Sequence, residues 1–359
     1  MRIIDDITHK KILAAPLDWG LGHAARSVPL IRRLCLKNEV IIVCGPAAYN
    51  FLQRELPEVE IINIDDWRIR YPKHKINFFT ILGWIPVMLR NSIHEHRFVK
   101  KIIRERGINC IVSDNRYGLY FNGLECHIIT HQVYPKMPKG FGFLEDFGGW
   151  IFKKYLSKFH KVLIPDFEDG DNLSGSLAAD RNLPPEKFVR IGILSRFSTI
   201  ENGELKIENE QLSTLNSQLS TFNFQFSILV LMSGQENQRT ILENMLISAL
   251  DGCGRNVLFV RGVGESRAPL VDTQNIKFHN LLSGNDLRDA LVSSSMIICR
   301  AGYSTLCDVV ALKKRAVIIP TPGQTEQEYL AARLDGKFGF RSVSQGERDF
   351  AEKLRGMIF

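Results

Sequence analysis

The chemistry-bearing run of this chain is Ile297-Ile298-Cys299-Arg300-Ala301-Gly302-Tyr303-Ser304-Thr305-Leu306-Cys307-Asp308. An apolar strand runs into a turn of small residues and then into a helix. Gly302, Ser304 and Thr305 present backbone N–H groups and hydroxyls at that helix start, a combination that suits a phosphate. Asp308 follows one turn later and offers a carboxylate to a ribose diol. A second strand ends at Pro320, and the polar loop after it carries Gln324, Glu326 and Gln327.

These residues resemble the donor-binding half of the family 28 glycosyltransferases, the group with the GT-B fold that includes the lipid II-forming enzymes. Arg300, Gly302, Thr305, Asp308 and Gln327 match the family's Arg–small–Gly–x–x–Thr turn, its acid and its Gln-rich stretch. Asp308 departs from the family, which has the longer Glu there. The resemblance implies that no cofactor is needed and that the donor is a sugar linked to a nucleoside diphosphate, UDP above all. It also implies transfer with inversion to an acceptor hydroxyl, which is lipid-linked in that family, in cell-envelope glycan or glycolipid synthesis.

Other turns carry candidate groups. Asp18-Trp19-Gly20-Leu21-Gly22-His23 lies between a strand and a helix. A lone Gly-x-Gly is a weak dinucleotide signal, and the third glycine of that fingerprint is missing. His23 at the helix start gives the turn chemical weight, and Gly22-His23 matches the Gly-rich loop of the resembled family. Pro29 leaves the start of that helix open. Ser113-Asp114-Asn115 ends another strand at the same sheet edge. Asp114 is a general-base candidate beside His23, or else a turn cap. Asn115 and His131 fall at that edge too, on the acceptor side together with Gly20 and Gly22. Ser233 and Gly234 free the backbone after the first strand of the second half, and Arg239 offers charge to a diphosphate. Arg261-Gly262-Val263-Gly264 is a weaker sign of the same kind. Asp169-Gly170-Asp171 reads as a solvated acidic loop, and no His/Cys cluster shows metal-ligand spacing, so no metal is expected.

The elements that must position these groups follow from near-continuous apolar strands alternating with helices. That pattern gives two doubly wound parallel sheets, each covered on both faces, an α/β architecture of two Rossmann-like domains facing a cleft. Ten strands are expected: 11–16, 39–45, 59–64, 109–114, 127–130, 226–232, 256–260, 276–278, 295–299 and 316–320. The acceptor domain is expected over 1–190, a linker over 191–226, and the donor domain over 227–346. A terminal helix at 347–359 is expected to return to the first domain. The Ser/Asn/Gln-rich stretch 198–223 reads as a flexible insertion.

With 359 residues, 45% hydrophobic and 24% charged, the chain is that of a globular protein. No run reaches the length of a membrane span, and the N-terminus lacks a secretory apolar segment. The seven scattered cysteines read as reduced thiols of a cytoplasmic protein. The net charge of +7 is uneven: ten Lys/Arg and two acids between Arg68 and Arg106 give +8, so the remainder is near −1. One basic patch points to a localised anionic partner, not to nucleic acid. The same stretch holds the apolar run Phe78 to Leu89, with Trp84, Pro86 and flanking Lys/Arg. It reads equally as a buried core helix or as a contact with the anionic inner face of a membrane.

Two other functions fit the same pocket: a UDP-sugar 2-epimerase, and a non-catalytic nucleotide-sugar-binding protein. An NAD-dependent oxidoreductase fails for want of the third glycine and of an acid ending the second strand.

Overall fold

A computed structural model describes the chain apart from residues 1, 19–20, 65–77, 138–139, 169, 180–183, 202–203, 208–225, 265–266 and 283; the side chains of 2, 78–82, 198–201 and 204–207 are likewise not described. It divides into two compact units, which meet in sequence at 206/207.

The first domain is built on seven parallel strands: β1 (Lys11–Pro16), β2 (Glu39–Cys44), β3 (Glu60–Asn63), β4 (Cys110–Asp114), β5 (Glu125–Ile129), β6 (Lys161–Ile164) and β7 (Phe188–Arg190), in the order β3-β2-β1-β4-β5-β6-β7. The central strands are buried from end to end, as parallel strands covered on both faces must be. One face packs with helices α1 (Arg2–Asp5), α2 (Leu21–Cys35) and α3 (Pro46–Glu55), through Val28, Ile31, Leu34 and Leu52. The other face packs with α4 (Phe78–Arg106) and α5 (Glu145–Leu156), through Val99, Ile102 and Leu156. Pro29 sits inside α2, which runs on through it.

The strand order reverses between β1 and β4. At that point the loops leaving two neighbouring strands diverge and open a crevice at the carboxyl edge. Register places Pro16 beside Asp114 there. Asp18 reaches back from the β1 loop and accepts from the Ala48 N–H at 2.9 Å, capping α3 from outside it.

Beyond β7, β8 (Ser198–Glu201) and β9 (Glu204–Ile207) pair as a short two-stranded sheet, so the start of the expected linker is ordered structure. The rest of the polar insertion lies outside the described residues.

The second domain repeats the plan. Its strands β10 (Ile228–Leu231), β11 (Val257–Val260), β12 (Ile276–His279), β13 (Met296–Arg300), β14 (Ala316–Ile319) and β15 (Phe340–Ser342) are all parallel, in the order β12-β11-β10-β13-β14-β15. The order reverses between β10 and β13. Helices α6 (Gln238–Leu250), α7 (Gly284–Ser293), α8 (Tyr303–Ala311), α9 (Thr325–Leu334) and α10 (Phe350–Ile358) complete it. The terminal helix is a correction to expectation. It belongs to the second unit, where Phe350 and Leu354 enter the core and Arg355 Nε donates to the Ala249 carbonyl of α6 at 2.9 Å. Its apolar face simply finds the nearest open flank of its own sheet.

Candidate functional site

In the first domain, His23 occupies the first turn of α2 and Asp114 the last position of β4. Their contact closes the reversal point. His23 Nδ1 lies 3.1 Å from Asp114 Oδ1. Arg26, one helical turn after His23 and so on its face of α2, donates from Nε to Asp114 Oδ2 at 2.7 Å and from its terminal nitrogen to Oδ1. Ser27 Oγ donates to the same carboxylate at 3.3 Å. The other guanidinium nitrogen of Arg26 lies 3.3 Å from His131 Nδ1. The expected residues His23, Asp114 and His131 are thus one cluster, with Arg26 as its centre.

The electrostatics separate the two base candidates. Burial by itself raises the Asp114 pKa, but Arg26 and His23 outweigh it and hold the carboxyl well below the usual range. Such a group stays ionised and is a poor proton acceptor at neutral pH. The reading of Asp114 as a general base is corrected on that ground. Burial, with Arg26 second, lowers the His23 pKa although Asp114 pulls the other way. The ring is therefore neutral near pH 7. His23 Nδ1 lies 3.1 Å from Asp114 Oδ1 and 3.0 Å from a terminal nitrogen of Arg26, which can only donate. The His23 side chain keeps 18% of its surface exposed while Asp114 keeps 2%.

Asn115 takes a left-handed conformation with φ 56°, one that Asn tolerates. Its N–H donates to the Ile129 carbonyl at 3.1 Å, and its side-chain Oδ1 is buried without a partner. A further ion pair braces this edge. Arg116 donates to Glu95 Oε1 of α4 at 3.0 Å and to the Pro16 carbonyl at 2.9 Å. Gly22 lies in the first turn of α2, and Gly20 lies outside the described residues.

In the second domain, the expected donor groups gather at the carboxyl ends of β10, β13 and β14. Ser233 and Gly234 are exposed in the loop after β10, with Gly234 at φ 107°. Gly302 caps α8 without a side-chain bond, and a Cβ added to it would meet nothing within 4 Å. The helices α6 and α9 also begin at Asn237 and Gln324 without side-chain caps. Helix starts of this kind offer N–H groups and a positive dipole end to an anion. Ser304 and Thr305 are half-buried in the first turn of α8, and Asp308 stands on the same face, buried. Gln327 is buried and accepts the Thr321 N–H at 2.9 Å through Oε1. Glu326 lies in the first turn of α9.

Two expected donor contacts have other work. Arg239 is buried and donates to Glu236 at 2.8 Å, Glu243 at 2.7 Å and the Arg261 carbonyl at 3.2 Å. Arg261 closes the same network by donating to Glu243 at 2.9 Å. Arg300 is buried too, donating to Gln345 at 2.8 Å, to the Gln238 carbonyl at 2.8 Å and to the Pro320 carbonyl at 3.2 Å. Burial lowers its pKa to about 10. Both arginines brace the loops at this edge, the Arg239 guanidinium through all three nitrogens, while Arg300 Nε is buried without a partner.

Sequence reasoning passed over Arg26, Glu95, Arg116 and Glu243. The spacing of Arg26 from His23 was a usable signal. The partners of Arg116 come from distant segments and carry none, whereas Glu243 stands four residues after Arg239 on α6, a local spacing of the same kind.

The apolar run opens α4, a helix of 29 residues. Ile85, Met88, Leu89 and Ile93 are exposed, the last by 55%, so this part of the run is surface and not core. No helix among the described residues is long and apolar enough to cross a membrane.

Comparison with known proteins agrees with this geometry. Residues 270–357 match the glycosyltransferase family 28 C-terminal domain. Over 75 residues the chain is 32% identical to the UDP-N-acetylglucosamine–N-acetylmuramyl-(pentapeptide) pyrophosphoryl-undecaprenol N-acetylglucosamine transferase of Sinorhizobium fredii, a match spanning 20% of each protein. Among solved structures, the glycotransferase of kitacinnamycin is similar over 98% of this chain and 90% of its own, at 14% identity and a TM-score of 0.67. Acinetobacter baumannii MurG is similar over 97% and 92%, at 13% identity and a TM-score of 0.52. The UDP-GlcNAc 2-epimerase of Neisseria meningitidis is similar over 96% and 90%, at 11% identity and a TM-score of 0.61. The chain has the GT-B fold and resembles the family 28 glycosyltransferases, with that family's C-terminal domain in its second half.

Proposed function

We propose that the protein is an inverting glycosyltransferase that moves a hexose or N-acetylhexosamine from a UDP-sugar to an acceptor hydroxyl. The observation that carries the reading is the His23–Asp114 pair in the first domain: a neutral imidazole, oriented by a carboxylate that stays ionised. The His23 imidazole takes the proton of the acceptor hydroxyl as its oxygen attacks the anomeric carbon. Asp114 steadies the imidazolium that forms, as an orienting partner does in other His-dependent catalysis. The departing diphosphate is received by the helix starts at Asn237 and Gly302 and by Ser233, Ser304 and Thr305, so the transfer needs no divalent metal. Asp308 takes the ribose hydroxyls, with Gln324, Glu326 and Gln327 around the sugar. Asn115 and His131 belong to the acceptor side.

The family 28 match in the donor half favours transfer over epimerisation, since the epimerase likeness is one of fold. The exposed apolar face of α4, beside basic residues, supports an acceptor held at the inner face of the cell membrane and a place in envelope glycan or glycolipid synthesis. Incubation with labelled UDP-N-acetylglucosamine and a lipid-linked acceptor tests the reading. Labelled lipid product supports it. Conversion to the 2-epimer, or binding with neither product, overturns it.

A further inference from the structure

Cys110 opens β4 and Glu125 opens β5, and the two face each other in register; His127 stands two residues after Glu125. Side chains alternate along a strand, so all three share one face of the sheet. Their potential ligand atoms, a thiol sulfur, a carboxylate oxygen and an imidazole nitrogen, all lie within 4.8 Å of one another. Cys110 is fully buried and His127 is 2% exposed. The Glu125 side chain is 38% exposed, which opens the group to solvent on one side.

The cluster is incompletely satisfied. His127 Nε2 bonds to Glu125 Oε1 at 3.0 Å, but its Nδ1 is buried without a partner. Folded proteins rarely leave such an atom unused. Sequence spacing conceals the group, because its members come from two strands.

We propose that Cys110, Glu125 and His127 bind a zinc ion at the amino edge of the first sheet. Sulfur, nitrogen and carboxylate oxygen are the ligands zinc selects, in a tetrahedral set. Around such an ion the ligand atoms stand about 3.3–3.8 Å apart, so the side chains close by a small movement. Water takes the fourth position, from the Glu125 side. On binding, the Cys110 thiol releases its proton to solvent and its sulfur becomes a thiolate ligand. Burial now pushes that thiol up to about 12, and the ion supplies the positive charge a buried thiolate lacks. Lys10, 3.8 Å from Glu125 in the free protein, gives up that ion pair. The site and the His23 cluster occupy opposite ends of β4, about 13 Å apart along the strand. Zinc here fastens β4 to β5 and takes no part in transfer.

The metal-stripped full-length protein, titrated with cobalt(II) and then zinc, tests this. One equivalent of cobalt should give a thiolate-to-metal charge-transfer band that zinc abolishes, and zinc should raise the melting temperature. Cys110→Ser should lose the band, and Glu125→Gln should weaken binding about tenfold or more. Absence of the band in the wild type overturns the proposal. So does its survival in Cys110→Ser, which places the metal on another cysteine. Should Cys110→Ser fail to fold, Glu125→Gln alters a half-exposed group and decides the matter: unchanged affinity overturns the site.

Discussion

Arg26 Nε donates to Asp114 Oδ2 at 2.7 Å, and the same guanidinium reaches His131 Nδ1 at 3.3 Å. One arginine thus fixes the charge of the carboxylate that orients His23. The division of labour follows: the group held ionised directs, and the neutral group beside it accepts.

His23→Ala should lower kcat by about 10²–10⁴-fold, the usual worth of a general base. Nucleotide affinity, measured by calorimetry, should stay unchanged, because the donor groups lie in the other domain. A variant that keeps wild-type kcat removes His23 from the mechanism.

The pH profile has a defined sign. A base must be unprotonated, and the His23 pKa lies below its ordinary 6.5. The kcat/KM plateau should therefore extend below pH 6.5 before falling in acid. Asp114→Asn removes the one partner that raises the His23 pKa, so the acid limb should move to still lower pH while the rate drops. A limb that stays in place shows that another group titrates.

Stability should fall in acid for two reasons of the same sign. Unfolded His23 takes a proton below about pH 6.5 that the native ring resists. Asp114 is depressed when folded, so its stabilisation is present above about pH 3.8 and is lost as pH falls through its native pKa. Chemical denaturation from pH 7 to pH 4 checks the His23 part and from pH 4 to pH 2 the Asp114 part; a flat midpoint in either range contradicts that part.

Asp308→Ala should weaken UDP-sugar binding by about 1–3 kcal/mol, the cost of leaving ribose hydroxyls unpaired. Unchanged affinity removes Asp308 from the pocket. Turnover should persist in EDTA; loss of activity restored by magnesium or manganese overturns the metal-free transfer.

Binding to anionic vesicles should weaken with salt but not vanish, since basic residues contribute about 1 kcal/mol each and are screened. Ile85→Ser with Leu89→Ser should abolish the salt-resistant part without unfolding, as both side chains are exposed. Wild-type protein that ignores such vesicles at low salt points to an acceptor free in solution.

All ten strands expected from sequence are present, because buried parallel strands announce themselves as unbroken apolar runs. The missed β7 and β15 are short and carry polar residues at the sheet edges, and β6 follows a helix whose aromatics blur its period. The turn at Gly302 was legible because an apolar strand running through small residues into a helix has a local signature. The protein partners of Arg239 and Arg300 carry no such turn signature. Glu243 lies one helical turn after Arg239, while Gln345, the acceptor of Arg300, is brought in from 45 residues away by how the loops close over the sheet. A charged side chain near a site reads as a ligand contact until its protein partners are known. The terminal helix erred similarly: an amphipathic stretch states that it needs a partner and not which one.

The docking of α10 onto α6 has a consequence for how such a protein can change. Every described strand and helix of the second domain comes from one uninterrupted stretch, Ile228 to Ile358. A single genetic crossover near residue 207 therefore exchanges every described strand and helix of the second domain together. Chimeras that keep this His23 cluster while importing another relative's sugar preference are open to construction, and the same joint gives evolution a route to new donors.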